Sequence, residues 1–255
     1  MARISALLAS LAIALTTFGS PLLADEFSVS QKSEIETIIK SYIMKNPELL
    51  RDAINELQAR DKAAETEARD KLIKDPQSPL YTSPYQAIVG NPDGKVTLVE
   101  FFDYNCGYCK KMLPSIARLM KDEPDLRVIL RDYPILSDAS VDAAQVAAAV
   151  RNQFKGEKFW EFHQKLLSSH GPVGKDQALA VAQALGADMS KIDKDMNAPT
   201  VKEGLDESDR LGRDLALNGT PSYVVGDEVV VGAIGYDALK AKLDNVRKCG
   251  KAVCS

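Results

Sequence analysis

The sequence predicts an α/β fold: a small mixed sheet broken by a long helical insertion and preceded by a helical arm. Three observations predict it. The apolar run Val96 to Phe102, the helical stretch Lys110 to Met120 and the apolar run Leu126 to Arg131 form a strand–helix–strand unit, whose right-handed crossover makes its two strands parallel. Residues 137 to 204 read almost wholly as helices. After them, Ser222 to Val225 and Val229 to Gly232 form a hairpin through Gly226-Asp227, glycine first as a type II′ turn prefers.

Taken in order, residues 1–24 read as a secretory signal peptide. Arg3 supplies the positive start, Ile4 to Phe18 is apolar but short for a membrane span, and Ala24 is a cleavage residue before Asp25. The alternative is an uncleaved anchor helix. Export would place the cysteines where disulfides form and persist. Residues 25–74 form a helical segment without cysteine, histidine or glycine. Ile35, Ile38, Ile39, Tyr42 and Ile43 mark the apolar face of its first helix. Asn46-Pro47 is a break and restart, with Asn as N-cap and Pro at the first helical position. Leu50, Ile54 and Leu57 then repeat at helical spacing before the segment turns charged. So thin an amphipathic segment has no core of its own. It must bury its face on the following domain or, as we expect, on copies of itself.

Residues 75–84, with Pro76, Pro79 and Pro84, read as a linker. The domain at 85–247 opens on a strand from Tyr85 to Val89 and a turn, Gly90-Asn91-Pro92-Asp93-Gly94. Within the insertion, about 137–217, helices are expected at Val141 to Val150, Glu157 to Leu167, Lys175 to Leu185, Met189 to Met196 and Val201 to Leu217. Phe159, Trp160 and Phe162 read as core of that insertion, with His163 packed or exposed among them and not catalytic. Tyr236 to Val246 closes the domain, and 248–255 is a cysteine-containing tail. The net charge of −4, with no clustered basic surface, argues against nucleic acid as a partner.

Chemistry concentrates at Cys106-Gly107-Tyr108-Cys109, at the turn between strand and helix. Free N–H groups and the dipole at a helix start favour an anion, here the thiolate of Cys106. A lowered pKa populates the nucleophile and makes it a good leaving group. Cys109, one turn further in, can attack Cys106 and close a small disulfide ring, so the pair reads as a redox-active Cys106–Cys109 dithiol. A structural zinc site is disfavoured, because only Cys249, Cys254, His163 and His170 remain and none has ligand spacing. A purely structural disulfide across so short a loop would gain little chain entropy. Glu100 lies inside an apolar strand, where a carboxyl is costly to ionise; Lys110 and Lys111 add positive charge beside the pair.

The stretch Glu100-Phe101-Phe102-Asp103-Tyr104-Asn105-Cys106-Gly107-Tyr108-Cys109-Lys110 resembles the active site of DsbA-like thioredoxin-fold proteins, most closely the ScsC-type branch of thiol-disulfide oxidoreductases of the bacterial cell envelope. Gly90 to Gly94, Arg131-Asp132-Tyr133-Pro134-Ile135-Leu136 and Gly219-Thr220-Pro221-Ser222-Tyr223 extend the resemblance over about residues 85 to 247. It implies a thioredoxin fold with an inserted helical domain, and it matches the N-terminal segment to an oligomerisation arm of proteins some of which are trimers. It implies a cis Thr220-Pro221 bond against the cysteine pair, with Thr220 tuning the potential and pairing with substrate, and Glu100 as a proton relay for Cys109. Threonine before the proline, and Gly107-Tyr108 between the cysteines, look more like disulfide isomerases than like strong oxidants. No cofactor is called for.

Cys249 and Cys254 lie outside that pattern; an oxidising compartment and the intervening Gly250 suggest a local tail disulfide. The expected activity is disulfide isomerisation on misoxidised or unfolded exported proteins in the periplasm, with a membrane reductant of the DsbD type keeping the dithiol reduced. The nearest alternative is a dithiol oxidase re-oxidised by a DsbB-type partner. From another class, a copper-tolerance protein would hold Cu(I) on Cys106 and Cys109, soft ligands for that ion. A kappa-type glutathione transferase shares the fold, but the cysteine pair and the export signal argue against it.

Overall fold

The structure, a computed structural model, describes residues 27–254. The expected signal peptide lies outside the described residues. The chain divides into two compact units, the first ending at Leu57 and the second beginning at Gln58. In the first unit Ser28 caps helix α1 (Val29–Lys45) reciprocally: its hydroxyl accepts from Gln31 N–H, and its own N–H donates to Gln31 Oε1. α1 buries none of its residues within this chain. Helix α2 (Pro47–Lys74) starts immediately after Asn46. Asn46 does not act as the expected N-cap. Its side chain turns back and donates to Tyr42 carbonyl at 2.7 Å, closing the end of α1, and Pro47 starts α2 with a residue that has no N–H to satisfy.

The second unit holds a five-stranded sheet in the order β1-β3-β2-β4-β5, built from β1 (Ala87–Gly90), β2 (Val96–Phe102), β3 (Leu126–Asp132), β4 (Ser222–Val225) and β5 (Glu228–Val231). β2 pairs parallel with β3 and antiparallel with β4, so the strand that leads to the cysteines is central. Its alternation fills both faces. Leu98 and Phe102 join one core with Cys106, Cys109, Met112, Ile116 and residues of the helical insertion; Val99 and Phe101 join another with Leu80, Ile129, Tyr133 and Leu211. Helix α4 (Gly107–Asp122) follows β2.

Residues 75–84 differ from the linker expected there. They carry a short helix α3 (Pro79–Thr82), and Leu80 is fully buried in the second core. Ser78 Oγ donates to Leu72 carbonyl and Tyr81 OH to Ile73 carbonyl. Prolines there start a turn of helix that the sheet covers. The insertion comprises α5 (Asp138–Gln153), α6 (Gly156–Leu167), α7 (Lys175–Ala184), α8 (Met189–Asp195) and α9 (Pro199–Asp214). α5 presents Ala143, Ala144 and Ala147 to Ala149, all buried, which lets its neighbours pack close. α10 (Tyr236–Cys249) covers α4. Gly226, at φ +58°, takes the left-handed conformation of the β4–β5 turn; a Cβ there would stand 2.7 Å from Val246 Cγ2. Among the described residues, no helix is long and apolar enough to cross a membrane.

Candidate active site

β2 ends at Phe102 and the chain reverses through Asp103-Tyr104-Asn105 before α4 begins. Two side chains fix this loop. Asp103 accepts from Asn105 N–H at 2.8 Å and from Leu136 N–H at 3.1 Å. Asn105 Nδ2 donates to Ser140 Oγ and to Val173 carbonyl, while its Oδ1 accepts from Val173 N–H. The loop is therefore tied to the helical insertion at three points. Tyr104 and Phe102 pack edge to face, both rings meet the buried His163, and Trp160 stacks on it. His163 is 1% exposed, and burial holds its pKa down at about 3. It is a neutral packing residue, as expected from sequence.

Cys106 is the N-cap of α4. Its sulfur accepts from Cys109 N–H at 3.4 Å, a capping role usually filled by an oxygen. As a thiol it also donates to Thr220 carbonyl at 3.0 Å. The Thr220–Pro221 bond is cis. Both thiols are free in this structure. Their acidities are driven apart. Cys106 is lowered to about 5, chiefly because the Cys109 thiol donates to it, with Thr220 and the N–H groups of Cys109 and Tyr108 acting in the same direction against the cost of burial. The same hydrogen bond, then burial, then the Glu100 carboxyl push Cys109 far above the usual thiol range. One bond thus makes the first cysteine an anion and the second its proton donor.

Glu100 lies on the same face of β2 as Leu98 and Phe102, two residues inward from the strand end. It is 3% exposed, and burial raises its pKa to about 8. In the β2–β4 register it stands opposite Tyr223, whose hydroxyl donates to Glu100 Oε1 at 3.2 Å. Burial, followed by the Glu100 charge, pushes the Tyr223 phenol far above its usual range, so it remains a donor. Tyr223 had no role in the sequence reading. The signal that finds it is the antiparallel register of the strand after Pro221 against the cysteine strand. The Lys110 ammonium donates to Ser169 carbonyl at 2.9 Å, and Lys111 lies over the Tyr108 ring.

Tyr108, between the two cysteines, is exposed, as are Ile135 and Leu136, the latter bonded through its N–H to Asp103. The structure therefore gathers Cys106, Cys109, Glu100, Thr220 and Pro221 at one end of β2 and β4, and adds Tyr223. Cys249 and Cys254 stand apart from them, joined as a disulfide between the end of α10 and the tail. That tail is held by Asp227, which accepts from Ala252 N–H, and by Asn245, which donates to Ala252 carbonyl. Among the described residues no group of three or more His, Cys, Asp or Glu side chains is placed to hold a metal ion; the two active-site thiols would offer a pair of soft ligands.

Comparison with known proteins agrees with this geometry. The Copper resistance protein ScsC N-terminal domain matches residues 31–64. A thioredoxin-like oxidoreductase from Silicibacter pomeroyi is 36% identical with a TM-score of 0.62, over 71% of this chain and 98% of that one. Proteus mirabilis ScsC in a transitional conformation is 27% identical with a TM-score of 0.62, over 86% of this chain and 96% of that one. Disulfide bond formation protein D of Bacillus subtilis is 27% identical over 176 residues, 64% of this chain and 78% of that protein. A longer protein also carries a similar region: this chain matches Na(+)/H(+) antiporter NhaA 1 of Salinispora arenicola at 29% identity over 157 residues, 60% of this chain, and spans only 23% of that protein's length. With residues 97–244 matched by the DSBA-like thioredoxin domain, the chain belongs to the DSBA-like thioredoxin-domain family.

Proposed function

We propose that the protein is an exported thiol-disulfide oxidoreductase that isomerises protein disulfides in the periplasm. The observation that carries this reading is the opposed acidity of the two thiols, with Cys106 at about 5 and Cys109 far above the thiol range. The Cys106 thiolate attacks one sulfur of a substrate disulfide. A mixed disulfide forms, and the substrate's other sulfur leaves as a thiolate. In isomerisation that thiolate, or another from the substrate, attacks a second substrate disulfide, and a substrate thiolate finally displaces Cys106; no net electrons move. In the reductive branch Cys109 loses its proton to Glu100 and attacks Cys106 Sγ, so the substrate is reduced by two electrons and the Cys106–Cys109 disulfide forms. Thr220 carbonyl and the apolar rim of Tyr108, Ile135 and Leu136 would receive an extended substrate segment.

Two features favour isomerase over oxidase. Threonine precedes Pro221 and Gly107-Tyr108 separates the cysteines. The N-terminal helices expose Ile35, Ile38, Ile39, Tyr42, Leu50, Ile54 and Leu57, a set at helical spacing that suits self-association into an oligomer such as a trimer. A membrane reductant of the DsbD type would keep the dithiol reduced. The test is reactivation of scrambled, oxidised ribonuclease in a glutathione buffer, beside a chain starting at Gln58, which keeps the buried Ile73 and Leu80. Recovery by the full protein and not by the shortened one supports an oligomeric isomerase. Rapid oxidation of reduced ribonuclease by both, with no recovery, would show a dithiol oxidase served by a DsbB-type partner; stoichiometric Cu(I) uptake without exchange would show a copper-binding protein.

A further inference from the structure

Asn105 directly precedes Cys106, and its side chain pairs like a piece of backbone. Its Oδ1 accepts from Val173 N–H at 2.7 Å and its Nδ2 donates to Val173 carbonyl at 2.8 Å, so one amide meets both polar groups of one residue, as a partner in an antiparallel ladder does. The other Nδ2 hydrogen goes to Ser140 Oγ at 3.0 Å, in the first turn of α5. The amide fits in one orientation only, since a flip would set donor against donor and acceptor against acceptor. Its backbone is held as well: Asn105 N–H donates to Asp103 Oδ1 at 2.8 Å.

Val173 is a fixed point. It is fully buried in the core that also holds Cys106 and Cys109. It lies in the loop between α6 and α7, where Gly171 at φ +71° and then Pro172 set the path of the chain. The same loop takes a tie from the far side of the dithiol, because the Lys110 ammonium donates to Ser169 carbonyl. Residues 105 and 110 bracket the cysteines, and both are bonded to one loop of the helical insertion. Between them Cys106 is the N-cap of α4, at φ −76° and ψ 114°. Its sulfur accepts from Cys109 N–H within α4 and donates as a thiol to Thr220 carbonyl, which belongs to the segment before β4. The angle φ of Cys106 turns on the peptide plane that joins it to Asn105. If that plane swings, the sulfur leaves both partners, and a hydrogen bond weakens steeply once its geometry is lost.

We propose that Asn105 is a positioning residue for thiol-disulfide exchange: its hold on Val173 and Ser140 fixes the entry of the chain into α4, so that Cys106 Sγ meets Cys109 N–H and Thr220 carbonyl together. The proposal rests on the thiol chemistry of the proposed function and serves isomerase and oxidase alike. It gives the helical insertion a part in that chemistry, because α5 and the α6–α7 loop hold the nucleophile from outside the sheet. The same bonds also satisfy the buried backbone of Val173, so a loss of stability alone does not distinguish positioning from packing.

The test uses the full chain and the variants Asn105→Ala, Asn105→Ser, whose side chain is too short to span both groups of Val173, and Ser140→Ala, which cuts one tie and leaves two. The readouts are thiolate absorbance at 240 nm against pH, urea unfolding, and the equilibrium in which glutathione disulfide takes the two electrons of the dithiol. The native Cys106 midpoint is about 5. Both Asn105 variants should raise it by about half a unit and move the glutathione equilibrium about threefold towards the Cys106–Cys109 disulfide, since the reduced form loses that much stabilisation. Ser140→Ala should move both in the same direction by less. Gly212→Ala, which disturbs the other core at Tyr133, should lower the unfolding midpoint without moving the titration. A lowered unfolding midpoint with an unmoved titration in all three variants would overturn the proposal and leave Asn105 a packing residue. An equal shift in Gly212→Ala would overturn it too, by showing that any loss of stability moves Cys106. A native midpoint near the ordinary 9.0 would overturn the thiol chemistry along with it, whereas a native midpoint of about 5 with unmoved variants would overturn this proposal alone.

Discussion

Replacing Glu100 by glutamine removes a charge that the fold resists and keeps an oxygen for the Tyr223 hydroxyl to donate to. The native carboxyl titrates at about 8 against an ordinary 4.5, chiefly because it is buried. A raised folded pKa means that the native state holds its proton over a range where the unfolded chain has released it. The carboxyl's contribution to stability is thus fully present below pH 4.5 and is lost as pH rises towards 8. At pH 7 the interval above 4.5 is about 2.5 units, or about 3 kcal/mol at 1.36 kcal/mol per unit, of which relaxation around the buried group leaves about 2–3. The assay is urea unfolding of the oxidised protein and of Glu100→Gln from pH 4 to 8. Oxidation removes the Cys106 thiolate and its own titration, while burial, the largest cause of the shift, persists. The two proteins should be equally stable near pH 4, and the variant ahead by about 2–3 kcal/mol at pH 7 with an unchanged urea slope. A gap that does not vary with pH, or a variant that loses ground as pH rises, would refute the reasoning. The gain should have a kinetic cost: without a carboxylate to take the proton of Cys109, resolution of a preformed mixed disulfide should slow by about tenfold or more.

Three further outcomes follow from the same structure. Reduced Cys106, followed by thiolate absorbance at 240 nm, should titrate at about 5, and Cys109→Ala, which removes its main hydrogen-bond donor, should raise that midpoint by about one unit. Because this folded pKa is depressed, its stabilisation of the reduced protein is present above the ordinary thiol value of 9.0 and lost as pH falls through about 5; a midpoint indifferent to Cys109→Ala would contradict the pairing. Gly212→Ala should lower the unfolding midpoint, although alanine favours helix by about 1 kcal/mol, because its Cβ would stand 2.5 Å from the buried Tyr133 ring; a gain in stability would show that the ring yields. Replacing Cys249 and Cys254 together by serine should cost at most about 2 kcal/mol for so short a loop and leave thiol-exchange rates unchanged, and a loss of exchange would assign the pair a redox role.

Local chemistry was legible in the sequence, and long-range placement was not. Val96 to Phe102 carries so many apolar and β-branched residues that strand was the plain reading, and its bounds match the structure. The cysteine pair, the buried acid before it and the X-Pro bond after Gly219 were each visible as residue types at a spacing. What linked Glu100 to Tyr223 was a ladder between segments 123 residues apart, which no local pattern encodes. Asn46 shows a subtler limit. An asparagine between two helices can serve either, and here both its backbone N–H and its side chain donate to Tyr42 carbonyl at the end of the first. The prolines of residues 75–84 suggested a linker because proline breaks helices. Leu80 between them found a recess in the second core, and the segment folded over it.

The position of Glu100 explains why the dithiol needs a core of this composition. A carboxyl two residues inward from the strand end could be neutralised by a lysine or opened to water, and it would then titrate in the ordinary range. Here its neighbours on this face are the apolar side chains of the core and Tyr223, whose hydroxyl donates to it. The carboxyl is therefore poised near neutrality, where it can take up a proton or release one in turn, and the thiolate of Cys106 adds to the shift. When a substrate sulfur takes Cys106 into a mixed disulfide, the negative charge at that sulfur disappears. The acceptor of the Cys109 thiol proton disappears with it, so the largest support of the raised Cys109 pKa and the smaller one from the Cys106 charge are lost together, while burial persists. Attack on substrate thus itself lowers the barrier to resolution. The pair stays paused while Cys106 is an anion and becomes ready once that charge is spent. This order of events requires both the hydrogen bond between the sulfurs and a dry face of β2 behind them.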